Sequence, residues 1–92
     1  MAPRFLFIRL SSMGDVILTT PRVKALRQKY PGAEIHYLTR PAYAELLAHN
    51  PHLNALHTWP PSEELRRMHW DGVIDLQRNL RTWRLRTRLR YG

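Results

Sequence analysis

No cysteine occurs in the 92 residues of this chain. That excludes disulfide staples, thiolate metal sites and a cysteine nucleophile. Glycine is scarce, at four residues. Neither the G-x-G-x-x-G dinucleotide fingerprint nor a G-x-S-x-G nucleophile elbow is present, which argues against a tight pyrophosphate cradle and against serine hydrolysis. Long apolar runs are missing too, so no segment is suited to span a bilayer. Acidic residues number 7 against 15 Lys and Arg, for a net charge of +8. Such an excess points to a negative partner: nucleic acid, an anionic membrane surface or a phosphorylated substrate.

What is present is enough for a small core. Hydrophobic residues make up 43% of the chain, which argues against disorder. The length suits one small domain or a piece of a larger one. The opening "MAPRFLFIRLSS" has an apolar centre interrupted by arginine, so it reads as a first strand and not as a signal peptide. A cytoplasmic location is the expectation.

Along the chain, Arg4 to Leu10 is rich in Phe, Leu and Ile and reads as a strand. The turn "SSMGD" follows. Val16, Thr19, Val23, Leu26 and Tyr30 then recur at steps of three and four, the spacing of one helix face. Pro21 predicts a kink, or a restart with Thr20 as N-cap and Pro21 at the first helical position. Pro31-Gly32 ends the helix. Ala33 to Thr39 reads as a second strand, "RPAYAELLAHNP" as a short helix, "LNALHTW" as a third strand. Ser62 caps a further short helix, "WDGVIDLQ" reads as a fourth strand, and a helix is predicted from about Asn79. This alternation predicts an α/β fold: a Rossmann-like parallel sheet with flanking helices and right-handed crossovers. Ligands of such sheets gather at the carboxyl ends of the strands, at a switch point. The "SSMGD" turn and the "QRNLR" loop lie at two such ends.

Asp15 is the first candidate. A carboxylate at a helix N-terminus beside a small Gly14 can take a proton from a substrate hydroxyl. Equally, Ser12 and Asp15 have the spacing of a capping box with Asp in place of Glu. Ser11 and Ser12 can bind an oxyanion or a sugar hydroxyl, or simply end the strand and cap the helix. The arginines are the second candidate. Arg66 and Arg67 precede the fourth strand, Arg78 and Arg81 follow it, and Arg81, Arg84 and Arg88 fall on one predicted helix face. Guanidinium forks suit phosphate and carboxylate groups, although a run of this kind also makes an ordinary solvated face. Trp83 within the run suits stacking or a core position. Asp71 and Asp75 bracket the apolar strand, in structural or crevice-lining roles. The five histidines lack metal-ligand spacing. His49 and His52 are separated by Pro51, so no metal site is expected.

The R-x-S-S-x-G-D turn, the proline six residues after its Asp, the Y-P-G-A-x-I connection and the D-L-Q loop occur in order. Over nearly the whole chain this pattern resembles the start of the ADP-heptose:lipopolysaccharide heptosyltransferases, glycosyltransferase family 9. The resemblance implies a GT-B fold, with residues 1–92 as part of the N-terminal, acceptor-side domain and the C-terminal donor-binding domain absent. It implies an inverting, metal-independent transfer of heptose from ADP-heptose to the lipopolysaccharide inner core. No cofactor is implied, since ADP-heptose is a substrate held mainly by the other domain. Asp15 maps to the general base, and Ser11, Ser12 and Gly14 to the acceptor-side loop. Arg66, Arg67, Gln77 and Arg81 resemble groups that meet the acidic acceptor. The implied partner is an acidic glycolipid (Kdo-lipid A or inner core), with peripheral contact at the cytoplasmic leaflet of the inner membrane and no nucleic acid. Alone, the chain is expected to be inactive and, with a sheet cut at one side, to self-associate. The alternative is a non-catalytic basic module for nucleic acid or anionic membrane.

Overall fold

The computed structural model describes residues 2–77 and 90–91. Its centre is a parallel sheet of β1 (Arg4–Ile8), β2 (Glu34–Thr39), β3 (Ala55–Thr58) and β5 (Gly72–Asp75), in the order β3-β2-β1-β5. Phe7 of β1 stands level with Tyr37 of β2 on one side and Ile74 of β5 on the other. The chain steps outward from β1 to β2 to β3, then returns to the far side of β1. The reversal puts the ends of β1 and β5 next to each other, with Ile8 level with Asp75. That is the switch point at which α/β sheets bind ligands.

Both faces of the sheet are covered. Leu6, Ile8, Leu10 and Leu38 pack with Leu65 and Trp70 on one side. Phe7, Ile35 and Tyr37 pack with Val16, Val23, Ala33 and Leu47 on the other. From Ile35 to Thr39 every residue of β2 is buried, as expected of an inner strand of a parallel sheet. Each such apolar side chain contributes about 1.5–3 kcal/mol of burial.

The first helical stretch divides into α1 (Met13–Leu18) and α2 (Thr20–Lys29). Thr19 caps the end of one and the start of the other. The restart therefore falls one residue earlier than the sequence predicts. The reason is local. Pro21 has no N–H to give the Ile17 carbonyl, and the Thr20 hydroxyl donates to that oxygen at 2.8 Å instead. The Thr19 hydroxyl donates to the Val16 carbonyl in the same way, at 2.6 Å.

Further along, a 3₁₀ turn (Pro41–Tyr43) leads into α3 (Ala44–Leu47). Helix α4 (Glu63–Arg67) starts at Ser62, whose hydroxyl accepts from the Leu65 N–H at 3.1 Å. The predicted fourth strand is divided. His69–Trp70 forms β4, separate from β5, and pairs with β6 (Arg90–Tyr91) in a second, two-stranded parallel sheet. Trp70 turns fully into the core and its indole N–H donates to the Leu65 carbonyl, so β4 leaves the plane in which β5 continues. The helix predicted from about Asn79 does not hold at Arg90–Tyr91, which are strand. Its remainder, with Arg78, Arg81, Trp83, Arg84 and Arg88, lies outside the described residues.

Candidate active site

An open cleft of about 710 Å³ lies where the ends of β1 and β5 meet α1. Arg9, Asp15, Leu18, Thr19 and Arg22 line one wall, and Val73 to Leu76 the other. The turn from Arg9 to Asp15 shapes its lip. Ser12 is the N-cap residue of α1 and its extended backbone lets the Ser12 carbonyl accept from the Val16 N–H at 2.8 Å. The Ser11–Ser12 peptide is cis.

Asp15 stands at that lip with a half-exposed side chain. Its Oδ2 accepts from the Ser12 N–H at 3.2 Å and from the Ser12 hydroxyl at 2.9 Å. The same oxygen lies 2.9 Å from Nη2 of Arg9. No contact to Oδ1 is found among the described residues. The Ser12 amide, then the Ser12 hydroxyl, then the Arg9 guanidinium hold the carboxyl below the usual aspartate range. Asp15 is therefore ionised at neutral pH. It caps the turn through Oδ2 and, as a residue, lines the cleft. The two roles that the sequence left open do not exclude each other.

The other predicted residues separate. Ser11 is half-buried, and Ser12 and Gly14 are exposed on the turn. A Cβ at Gly14 would meet nothing within 4 Å, so the turn does not itself require glycine and the space before it is open. Gln77 is not among the residues that line the cleft; its side chain is directed at the turn. Its Oε1 accepts from the Leu10 N–H at 3.0 Å and the Ser11 N–H at 3.2 Å, while Nε2 donates to the Ser11 hydroxyl at 3.3 Å. Arg66 and Arg67 sit at the end of α4 and line no part of this cleft. Arg81 lies outside the described residues. Asp75 is buried on the cleft wall, and its Oδ1 accepts from the Gln77 N–H at 3.0 Å. Asp71, at the other end of β5, binds the Arg4 N–H through Oδ2 at 2.7 Å.

Sequence reasoning did not single out Arg9. Its Nη1 donates to the Leu76 carbonyl while Nη2 meets Asp15, so one side chain spans both loops. The available signal was a guanidinium placed where an apolar strand ends. Among the described residues no three His, Cys, Asp or Glu side chains gather as metal ligands, and no helix is long and apolar enough to cross a membrane.

A parallel sheet in this order, with its cleft at the β1–β5 switch point, is the Rossmann-like fold of GT-B glycosyltransferase domains. Comparison with known proteins supplies the narrower likeness. The chain is similar to a glycosyl transferase of family 9 from Veillonella parvula DSM 2008, with a TM-score of 0.83 and 28% identity over 94% of this chain and 29% of that one. It is also similar to the E. coli heptosyltransferase WaaC, solved with ADP-2-deoxy-2-fluoro heptose, with a TM-score of 0.80 and 25% identity over 97% of this chain and 34% of that one. In sequence it is 43% identical to lipopolysaccharide heptosyltransferase 3 of Escherichia coli (strain K12) over 44 residues, 48% of this chain and 13% of that protein. No family model matches the chain. The chain thus spans about a third of the length of the solved relatives. The resemblance read from the turn and loop motifs holds in sequence and in fold: the chain is similar to part of the heptosyltransferases and of a family 9 glycosyltransferase.

Proposed function

We infer that this chain forms the acceptor side of a glycosyltransferase that moves heptose from ADP-heptose to an acidic lipopolysaccharide acceptor, with Asp15 as general base. The observation that carries the reading is an ionised, half-exposed carboxylate that lines the cleft, with Oδ2 held by Ser12 and Arg9. In the proposed step an acceptor hydroxyl gives its proton to Oδ1 of Asp15. The acceptor oxygen forms a bond to the anomeric carbon. The bond from that carbon to the diphosphate breaks on the opposite face, and ADP leaves with the electron pair. The anomeric centre inverts, and no metal takes part.

A carboxylate with a lowered pKa is a weak base. It suits this step, because the acceptor hydroxyl becomes strongly acidic only as the new bond forms. The proton then moves late, and Asp15 needs position more than basicity. Ser11, Ser12 and Gly14 border the acceptor from the turn. The donor nucleotide is held by parts of the enzyme outside this chain, which fits a turn with no glycine-rich cradle. Peripheral contact with an anionic leaflet follows from the acceptor's own location and suits the basic excess.

The test is Asp15→Asn in the complete transferase that carries this chain. Turnover is expected to fall by about 10²–10⁴-fold with acceptor binding retained. Near wild-type turnover would remove Asp15 from the role. Affinity for any polyanion, steep in salt and indifferent to Asp15, would instead favour a general basic module.

A further inference from the structure

Resting on the reading of Asp15 as the base, we propose that Arg9 and Gln77 are positioning residues: together they strap the Ser11–Asp15 turn to the end of β5 and so hold the Asp15 carboxylate in place at the cleft. Two independent ties make the strap. The Arg9 guanidinium reaches Asp15 Oδ2 with Nη2 and the Leu76 carbonyl with Nη1. The Gln77 amide accepts from two successive N–H groups of the turn, at Leu10 and Ser11, and donates to the Ser11 hydroxyl.

The chemistry of each side chain fits this task. A planar fork serves two acceptors in different directions, and a lysine ammonium on a flexible stem does so poorly. An amide offers an acceptor and a donor together, which a carboxylate or an alkyl group does not. An aspartate at the first turn of a helix has several rotamers. Fixing Oδ2 from the Ser12 side and from the Arg9 side restricts that choice. The strap also registers the two walls of the cleft. Val73, Ile74, Asp75 and Leu76 form the β5 wall, so a ligand seated there is placed relative to Asp15 through Arg9 and Gln77. With its side chain committed to the turn, Gln77 acts through Asp15 and not on the acceptor.

The experiment has two arms. In the complete transferase, Arg9→Met is expected to lower kcat by about 10²-fold, the scale of a small misplacement of a reacting group, with KM nearly unchanged. It also moves the acid limb of the pH–rate profile to higher pH, because a cation beside the base is gone. Arg9→Lys restores the limb and only part of kcat. Gln77→Ala lowers kcat about tenfold and leaves the limb in place, since no charge is lost. Wild-type kcat in both Arg9→Met and Gln77→Ala, with Asp15→Asn inactive, overturns the strap and leaves the base standing. Activity in Asp15→Asn overturns both. The second arm needs no turnover: an NMR pH titration of the Asp15 carboxyl in the 92-residue chain. The midpoint should rise in Arg9→Met and hold in Arg9→Lys and Gln77→Ala. An unchanged midpoint in Arg9→Met overturns the proposal, and Arg9→Lys retains the charge if the methionine variant does not fold.

Discussion

His36 Nδ1 and His57 Nε2 lie 2.8 Å apart, joining β2 to β3 by a hydrogen bond between two imidazoles. The other nitrogen of His36 lies 2.9 Å from Glu34 Oε1. Glu34 is held below the usual glutamate range, first by His36 and then by Arg4. His36 therefore carries its proton on Nε2, and the bond to His57 needs one N–H between the two rings. The rings of His36 and Trp70 also meet in a T-shaped contact, with centroids 4.9 Å apart, so His36 is built into the core.

Acid should cost stability at His57, which must gain a charge in a half-buried position. Burial, and then the charge of His36, push the pKa of His57 down, while Glu64 opposes them. A histidine lowered in the folded state contributes fully above its ordinary 6.5. That contribution is lost as pH falls from there through the folded value. Thermal unfolding from pH 7.5 to 5 should show a falling Tm for the native chain. His57→Gln keeps a polar atom near Nε2 and does not titrate, so its Tm should fall less. An equal fall in both would remove His57 as the cause. Below the ordinary 4.5 of Glu34 a second loss sets in, as that carboxylate is protonated.

The buried pair Thr19–Tyr37 makes a prediction about order. Their oxygens are 2.7 Å apart. The Thr19 hydroxyl already donates to the Val16 carbonyl, so Tyr37 is the donor between them. Thr19→Val strands a buried phenol donor and should cost about 1–3 kcal/mol, whereas Tyr37→Phe leaves Thr19 still bonded and should cost about 1 kcal/mol. Denaturant unfolding of the two variants checks the ranking, which the opposite order would refute.

Gly72 opens β5 beneath a ring. A Cβ there would lie 2.9 Å from Phe5 Cδ1, closer than van der Waals contact allows. Phe5 has little room to move, because its ring is tilted against Tyr30 at 5.4 Å. Gly72→Ala should cost about 1–3 kcal/mol from overpacking. In a Phe5→Leu background the same change should cost less, and a double-mutant cycle measures the difference. Additive effects would mean that the ring is not the obstacle.

Arg27 ties α2 to two connections of the sheet. Its guanidinium donates to the carbonyls of Pro31, Ala33 and His52 and to Asn54 Oδ1. Asn54 Oδ1 in turn accepts from the Ile35 N–H at 2.8 Å, at the start of β2. Arg27→Lys keeps the charge and loses the fork, so it should destabilise by about 1–3 kcal/mol. Equal stability of the two proteins in urea would show that these bonds are replaced by water at no cost.

Much of this was legible without coordinates. The alternation of elements, the stop at Pro31-Gly32 and the cap at Ser62 follow from local spacing, and the structure has each of them. The break near Pro21 was visible, but its position was not. It depends on which threonine hydroxyl reaches the Ile17 carbonyl. The predicted fourth strand ran through residues that the structure assigns to two sheets, because apolar content does not say which way Trp70 faces.

By itself the sequence determined the α/β class, the turn that carries Asp15 and the likeness to family 9, since these rest on period, caps and short motifs that act within a few residues. Only the tertiary structure decided that Arg9 meets Leu76 and that Gln77 grips Leu10 and Ser11. Those partners are 66 or 67 residues apart in the chain, and it is the reversal of strand order around β1 that makes them neighbours.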